Sequence, residues 1–150
     1  ATDGELATDL APFRTLANAP IAMTGHILFT AWDRENPATQ SSFVVEEIIR
    51  KRIGFGGLLL TDDLDMEALS GSVPERAARA IAAGCDVALN CWAKMDDMIG
   101  IASALPAMAD QALARLNRAL AQTDVNRADR AWQADLLARR DALIAAGGAA

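Results

Sequence analysis

The chain has 150 residues and a mass of 15.8 kDa, enough for one ordinary domain with a single core. Hydrophobic residues make up 52% and charged residues 23%, a globular rather than disordered balance. With 14 Lys and Arg against 20 Asp and Glu, the net charge of −6 argues against a nucleic-acid partner, which needs a basic face. No apolar run approaches the roughly 18 residues of a membrane span, so no membrane partner is expected. Cys85 and Cys91 are too few for a disulfide framework or a zinc site. The chain begins at Ala1 without Met, so its first residues carry no information on targeting.

Residues 5–17 read as a short helix that Pro12 interrupts or opens. After Pro20, Ile21 to Phe29 reads as a buried strand running into a loop. Residues 30–41 are turn-rich. Val44, Val45, Ile48, Ile49 and Ile53 recur with helical period and predict a helix over 43–53, capped by Ser42. Glu46–Arg50 and Glu47–Lys51 are i,i+4 pairs in the favourable order. Gly54-Phe55-Gly56-Gly57 ends that helix; it does not match a phosphate-binding glycine loop and is turn chemistry.

Leu58-Leu59-Leu60, bounded by Gly57 and Asp62, has the continuous apolar character of a parallel strand buried on both faces. Ser72-Val73-Pro74-Glu75 has capping-box spacing and opens a helix running to Gly84. Val87-Ala88-Leu89 reads as a third buried strand. Helical segments follow over 94–103, 106–122 and 127–146, and residues 147–150 form a frayed tail. The order α-β-α-β-α-β-α-α-α predicts an α/β fold of parallel βαβ units. Three strands suit a small open sheet or the last part of an eight-stranded barrel.

In such folds chemistry collects where strands end. Three places qualify: His26, Asp62-Asp63 and Asn90-Cys91-Trp92. Adjacent carboxylates at a poorly solvated strand end repel each other and need compensation or a use. Strand phase sends their side chains to opposite faces. Either one serves a pocket, or one caps the next turn while the other is solvated. His26, the single histidine, fits a hydrogen-bonded structural role better than a catalytic one. Trp92 and Met66 suit a ligand pocket and simple packing equally. Asp96-Asp97 suits a solvated helix face, and both cysteines suit buried free thiols. No metal-ligand spacing and no Ser-His-Asp order is evident.

Ile48-Ile49-Arg50-Lys51-Arg52, then four residues, then Gly57-Leu58-Leu59-Leu60-Thr61-Asp62-Asp63-Leu64-Asp65 resembles the active-site signature of glycoside hydrolase family 3. Asp9-Leu10-x-Pro12-Phe13, Met23-Thr24-Gly25-His26-Ile27, Pro37-Ala38-Thr39-x-Ser41, Thr61-Asp62-Asp63-Leu64-x-Met66 and Ala83-Gly84-Cys85-Asp86 resemble its bacterial β-N-acetylhexosaminidase branch. The resemblance runs from about residue 9 to 120. It implies a (β/α)8 barrel of which these strands are the sixth to eighth. Residues 1–150 are then the C-terminal portion of one barrel domain, and 124–150 its last helix and tail.

The resemblance makes Asp62 the catalytic nucleophile and Met66 a residue lining the sugar pocket. Met66 and His26 are the candidate substrate contacts. It implies an N-acetylglucosamine-containing substrate, a cytoplasmic role in peptidoglycan recycling, and neither metal nor organic cofactor. The branch's Lys-His-x-Pro-Gly-His-Gly segment and its Asp-Ser-His loop, which carries the acid/base His, are absent from this sequence, and His26 does not match that loop. Gly25 stands where Ala is usual and Asp65 where Ser is usual.

A barrel of this type takes about 250 residues. The missing N-terminal half is therefore expected as a partner, or the chain repacks as an open layer and is inactive alone. A reading of another class is a flavodoxin-like signalling or binding module holding Mg²⁺ on an acidic pair. The third Asp and the Lys of such sites are not found at neighbouring strand ends.

Overall fold

The computed structural model describes residues 1–122 and 130–147. It divides into two compact units, Ala1–Leu120 and Ala121–Ala150. Within the first unit the chain opens with α1 (Asp3–Asp9) and α2 (Ala11–Thr15). The break at Leu10 puts Pro12 in the first turn of α2, where its missing N–H costs no helical hydrogen bond. The expected single helix is thus two.

Strand β1 is only Ile21–Met23, and β2 is Leu58–Leu60. They pair in parallel, Ile21 with Leu58 and Met23 with Leu60. Gly57 precedes β2 because a side chain there would collide: its Cβ would lie 2.6 Å from the Ala19 carbonyl oxygen. That close approach lets Leu58 N–H bond Pro20 O at 3.0 Å and start the ladder.

Leu58 and Leu59 are buried, as a two-sided strand requires. In β1 the expectation of burial fails: Ile21 and Met23 are 45% and 54% exposed. Ala22 packs on the core side, while Ile21 and Met23 border an open apolar cavity of about 410 Å3 with Leu10, Phe13 and Leu16.

The β1–β2 crossover contains a 3₁₀ turn (Ala38–Gln40) and a helix over Val44–Ile53. The helix is where the apolar period puts it, but it is wound as a π-helix. Its end shows the wider winding: Gly54, at φ 83°, and Phe55 both donate to Ile49 O. The cap falls on Ser41, whose Oγ accepts Val44 N–H at 3.2 Å, rather than on Ser42. Val44, Val45 and Ile48 are buried between two clusters, one with Leu10 and Ala38, the other with Phe55, Leu59, Ala80 and Cys85. Lys51 meets Glu47 at 2.7 Å as its spacing predicts. Arg50 instead turns inward to Asp86 at 2.8 Å.

Beyond β2, α3 (Val73–Ala82) opens with Ser72 N–H on the Glu75 carboxylate at 2.8 Å. The third strand is reduced to one parallel bridge, Leu60 to Val87, and residues 87–89 are half-buried rather than buried. Side chains take the groups that a ladder would use. Asp86 accepts Leu59 N–H and Thr61 Oγ1 accepts Leu89 N–H, at 2.9 and 2.8 Å. Helices α4 (Met95–Ala104) and α5 (Asp110–Gln122) follow.

In the second unit α6 spans Arg130–Gly147, with an Asp135–Arg139 ion pair at 2.9 Å. The start of the expected 127–146 helix and most of the expected tail lie outside the described residues. The fold is thus α/β, helix-rich around a small parallel sheet. No helix among the described residues is long and apolar enough to cross a membrane.

The turn-rich stretch after β1 is held by Asp33, whose carboxylate accepts the amides of Asn36 and Glu35 at 3.0 and 2.9 Å. These bonds, Asn36 first, hold its pKa down from 3.8 to about 2. A depressed carboxylate pKa stabilises the fold above its unfolded value and loses that contribution as pH falls through the folded one. An Asp33→Asn variant is therefore expected to be less stable than the native chain at neutral pH. The gap should close as pH falls from 3.8 through about 2, followed by circular dichroism.

Candidate active site

The three strand ends singled out by the sequence do meet, and they meet at Asp63. Its Oδ1 accepts Asp65 N–H at 3.2 Å and, from the loop after Val87-Ala88-Leu89, Cys91 N–H at 3.0 Å. Its carbonyl oxygen accepts a hydrogen bond from His26 Nε2 at 2.9 Å, on the loop after β1. One carboxylate of the pair therefore caps the next turn and ties a neighbouring loop. Asp62 has no such duty: among the described residues its Oδ1 accepts only the adjacent Asp63 N–H, at 2.8 Å, and the residue is half-buried.

The loop bearing the pair is anchored from below and behind. Thr61 is fully buried, with its N–H on Val87 O and its hydroxyl accepting Leu89 N–H. Leu64 is fully buried with Leu69 and Ala77. Arg76 of α3 gathers three carbonyls, Leu64 and Gly71 at 2.8 Å and Met66 at 3.0 Å. Helix α3 thus shapes the turn following Asp62-Asp63, a role the sequence did not reveal.

Met66 is 44% exposed at the edge of this turn, and Trp92 is exposed beside it with its N–H on Asp65 at 3.4 Å. His26 has both ring nitrogens on protein atoms, Nδ1 on Thr39 Oγ1 at 2.8 Å and Nε2 on Asp63 O. Thr39 is buried and also meets Thr24 Oγ1 at 2.8 Å and Gly25 O at 3.0 Å. Asn90 Oδ1 accepts Ala93 N–H at 2.8 Å. Asn90 Nδ2 is the buried side-chain nitrogen without a partner among the described residues. Ala93 holds φ at 49°, a left-handed conformation uncommon without glycine.

Asp86, at the start of the third strand segment, also escaped the sequence reading. It accepts Arg50, Arg115 and Leu59 N–H together. A charged residue directly before an apolar strand was the available signal.

The two cysteines part company. Cys85 is buried as expected, and burial pushes its thiol up to about 12. Cys91 is exposed, contrary to expectation, because it sits on the rim loop beyond the third strand segment rather than in it. Partial desolvation and the Asp63 charge raise its pKa too. Iodoacetamide at mildly alkaline pH is expected to add one label to the folded chain, on Cys91, and a second only after denaturation, read by intact mass. Among the described residues no group of three or more His, Cys, Asp and Glu side chains is placed to hold a metal.

Parallel strands linked through helices, with paired carboxylates where β2 ends, define an α/β protein with its acidic chemistry at a strand terminus. Residues 4–128 match the model of the glycosyl hydrolase family 3 N terminal domain, and the chain belongs to that family. A β-hexosaminidase of Vibrio cholerae is 34% identical over 135 residues, covering 85% of this chain and 40% of that protein. One from Tolumonas auensis is 44% identical over 90 residues, 57% of this chain and 27% of that protein.

Among solved structures, the family 3 β-N-acetylglucosaminidase of Paenibacillus sp. str. FPU-7 superposes with a TM-score of 0.68 at 32% identity, covering 81% of this chain and 25% of that one. NagZ from Neisseria gonorrhoeae, in complex with N-trifluoroacetyl-D-glucosamine, superposes at 0.67 and 30%, covering 79% and 36%. The chain therefore spans less than half the length of each of these relatives.

Proposed function

We propose that this chain is the nucleophile-bearing part of a retaining β-N-acetylhexosaminidase. The substrate would be a terminal, non-reducing N-acetyl-β-D-glucosamine residue, in a muropeptide or oligosaccharide of peptidoglycan recycling in the cytoplasm. Residues 1–150 would form the sixth to eighth strands and accompanying helices of one (β/α)8 barrel, with 124–150 as its final helix and tail. Residues outside this chain would complete the barrel.

The observation that carries the reading is the division of labour in the acidic pair. Asp63 is committed to its neighbours, while the Asp62 carboxylate, at the C-terminal end of a parallel strand, meets only the next amide among the described residues. Family membership and the β-N-acetylglucosaminidases among its relatives support the substrate class. Strand order supports the barrel. β1 pairs with β2, and β2 bridges to Val87, each neighbour being the next in sequence. An open doubly wound sheet reverses its order at its ligand site, and the described strands show no reversal. The exposed apolar side chains of β1 suit a surface covered by further barrel structure.

In the reaction a carboxylate oxygen of Asp62 attacks the anomeric carbon as the bond to the leaving oxygen breaks. A histidine on the completing part protonates that oxygen. The same histidine then deprotonates a water that attacks the glycosyl–Asp62 ester, freeing the carboxylate. Two inversions retain the anomeric configuration. Met66 lines the sugar pocket at the rim. His26, its ring nitrogens on Thr39 and Asp63, serves the sugar through the loop it holds. No metal or organic cofactor enters these steps.

Native mass spectrometry followed by assay on an aryl N-acetyl-β-glucosaminide tests the reading. The 15.8 kDa chain alone is expected to be inactive, and the full-length protein carrying it to release the aryl alcohol with retained configuration. Hydrolysis with inversion, or none by the full-length protein, defeats the proposal.

A further inference from the structure

We infer that His26 is a positioning residue for the Asp62 nucleophile, acting through the carbonyl of Asp63; this rests on the function proposed above. A carbonyl oxygen can only accept, so the 2.9 Å contact between His26 Nε2 and Asp63 O requires a proton on Nε2. Nδ1 lies 2.8 Å from Thr39 Oγ1, whose one proton goes either to Nδ1 or to Gly25 O; in the second case Oγ1 accepts from Nδ1–H. Thr39 is itself buried and held by Thr24 Oγ1 and Gly25 O, so the ring is fixed from the side away from Asp63. Thr24 N–H in turn bonds Leu60 O at 2.9 Å, tying this bracket to the end of β2. The imidazole is a strut between two strand ends.

What the strut holds is the unit that aims Asp62. Asp63 N–H donates to Asp62 Oδ1, so the position of residue 63 sets the orientation of that carboxylate. Asp63 is restrained on its side chain by Asp65 N–H and Cys91 N–H and on its carbonyl by Met66 N–H and His26, of which Cys91 and His26 come from neighbouring strand-end loops. Without His26 the Asp63 carbonyl keeps only the local Met66 N–H, and the loop after β1 no longer braces residue 63, so residue 63 shifts and carries the Asp62 carboxylate off line. Displacement of a reacting group by about 1 Å is enough to cost on the order of 10²-fold in rate.

The test uses the full-length protein, the aryl N-acetyl-β-glucosaminide and three replacements. The Gln side-chain nitrogen reaches the place of His Nε2, and that of Asn the place of Nδ1. His26→Leu is expected to lower kcat roughly 10²-fold with KM within about threefold. His26→Gln should recover to within about tenfold of the parent, and His26→Asn should resemble His26→Leu.

Thr39→Val, which removes the hydroxyl beside Nδ1, should also lower kcat with KM kept. It serves as the kinetic test if His26→Leu does not fold. ¹⁵N NMR of the unaltered protein should show the proton on Nε2.

A raised KM with kcat preserved would make His26 a direct sugar contact and overturn the inference. So would rescue by Asn equal to rescue by Gln, a proton-free Nε2, or a His26→Leu enzyme within about threefold of the parent. If Asp62→Asn keeps full activity, the nucleophile reading falls. If Asp62→Asn kills the enzyme and His26→Leu does not, only the positioning role falls.

Discussion

Asp62→Asn in the full-length protein is expected to reduce kcat roughly 10³-fold or more, about 4 kcal/mol of transition-state stabilisation, with no loss of fold. The amide has nearly the shape of the carboxylate and keeps an oxygen to accept Asp63 N–H, so the local bond at 2.8 Å survives. What it lacks is the negative charge and the nucleophilic oxygen that form the glycosyl ester. Among the described residues Asp62 takes part in no ion pair that the change would break. The melting temperature should therefore stay within a few degrees of the parent while turnover disappears. In Asp62→Ala, which vacates the space below the anomeric carbon, added azide should restore release from an activated aryl glycoside, giving a glycosyl azide of inverted configuration. Activity above a few per cent of the parent would remove Asp62 from the nucleophile's role.

Asp86→Ala has the largest expected effect on stability, about 3–5 kcal/mol in urea unfolding. Asp86 is 5% exposed and meets Arg50 and Arg115 at 2.8 and 2.7 Å, themselves 10% and 15% exposed. Its Oδ2 also accepts Leu59 N–H at 2.9 Å. Arg50 continues into the backbone carbonyls of Gly57 and Phe55 and lies over the Phe55 ring. One carboxylate thus joins the π-helix, the loop before β2, β2 itself and α5.

Alanine leaves two guanidinium groups in a poorly solvated place without a counter-charge, and an amide without its acceptor. Both losses fall on a domain whose whole stability is on the order of 5–15 kcal/mol. Asp86→Asn should cost less, because its oxygen still accepts one of these bonds. A cost below about 1 kcal/mol for Asp86→Ala would show that solvent reaches the arginines.

These two aspartates mark different depths of legibility. Asp62 stands out in a string of residues because an acidic pair after three leucines is a local contradiction, and because the surrounding pattern resembles a known family. Asp86 gives a weaker local signal, since its partners Arg50 and Arg115 lie 36 and 29 positions away. Arg50 shows the same thing from the other side. Its i,i+4 spacing from Glu46 predicts a pair in the favourable order, but Arg50 turns to the buried Asp86 carboxylate instead. Ser41 takes the cap in place of Ser42, and the helix it starts is π-wound, neither of which the apolar period records.

The amino-acid sequence by itself determined the succession of helices, the buried β2, the ends where chemistry collects and the family. All of these follow from neighbours a few residues apart, which periodicity, caps and short motifs record. The tertiary structure alone decided that Asp63 rather than Asp62 carries the structural bonds and that both nitrogens of His26 are occupied by protein. It also decided that Cys91 lies on the rim and that the third strand is a single bridge. Each of these depends on which donor meets which acceptor between segments far apart in the chain. A buried polar group takes the partner folding brings within hydrogen-bond reach, and sequence spacing does not record that choice.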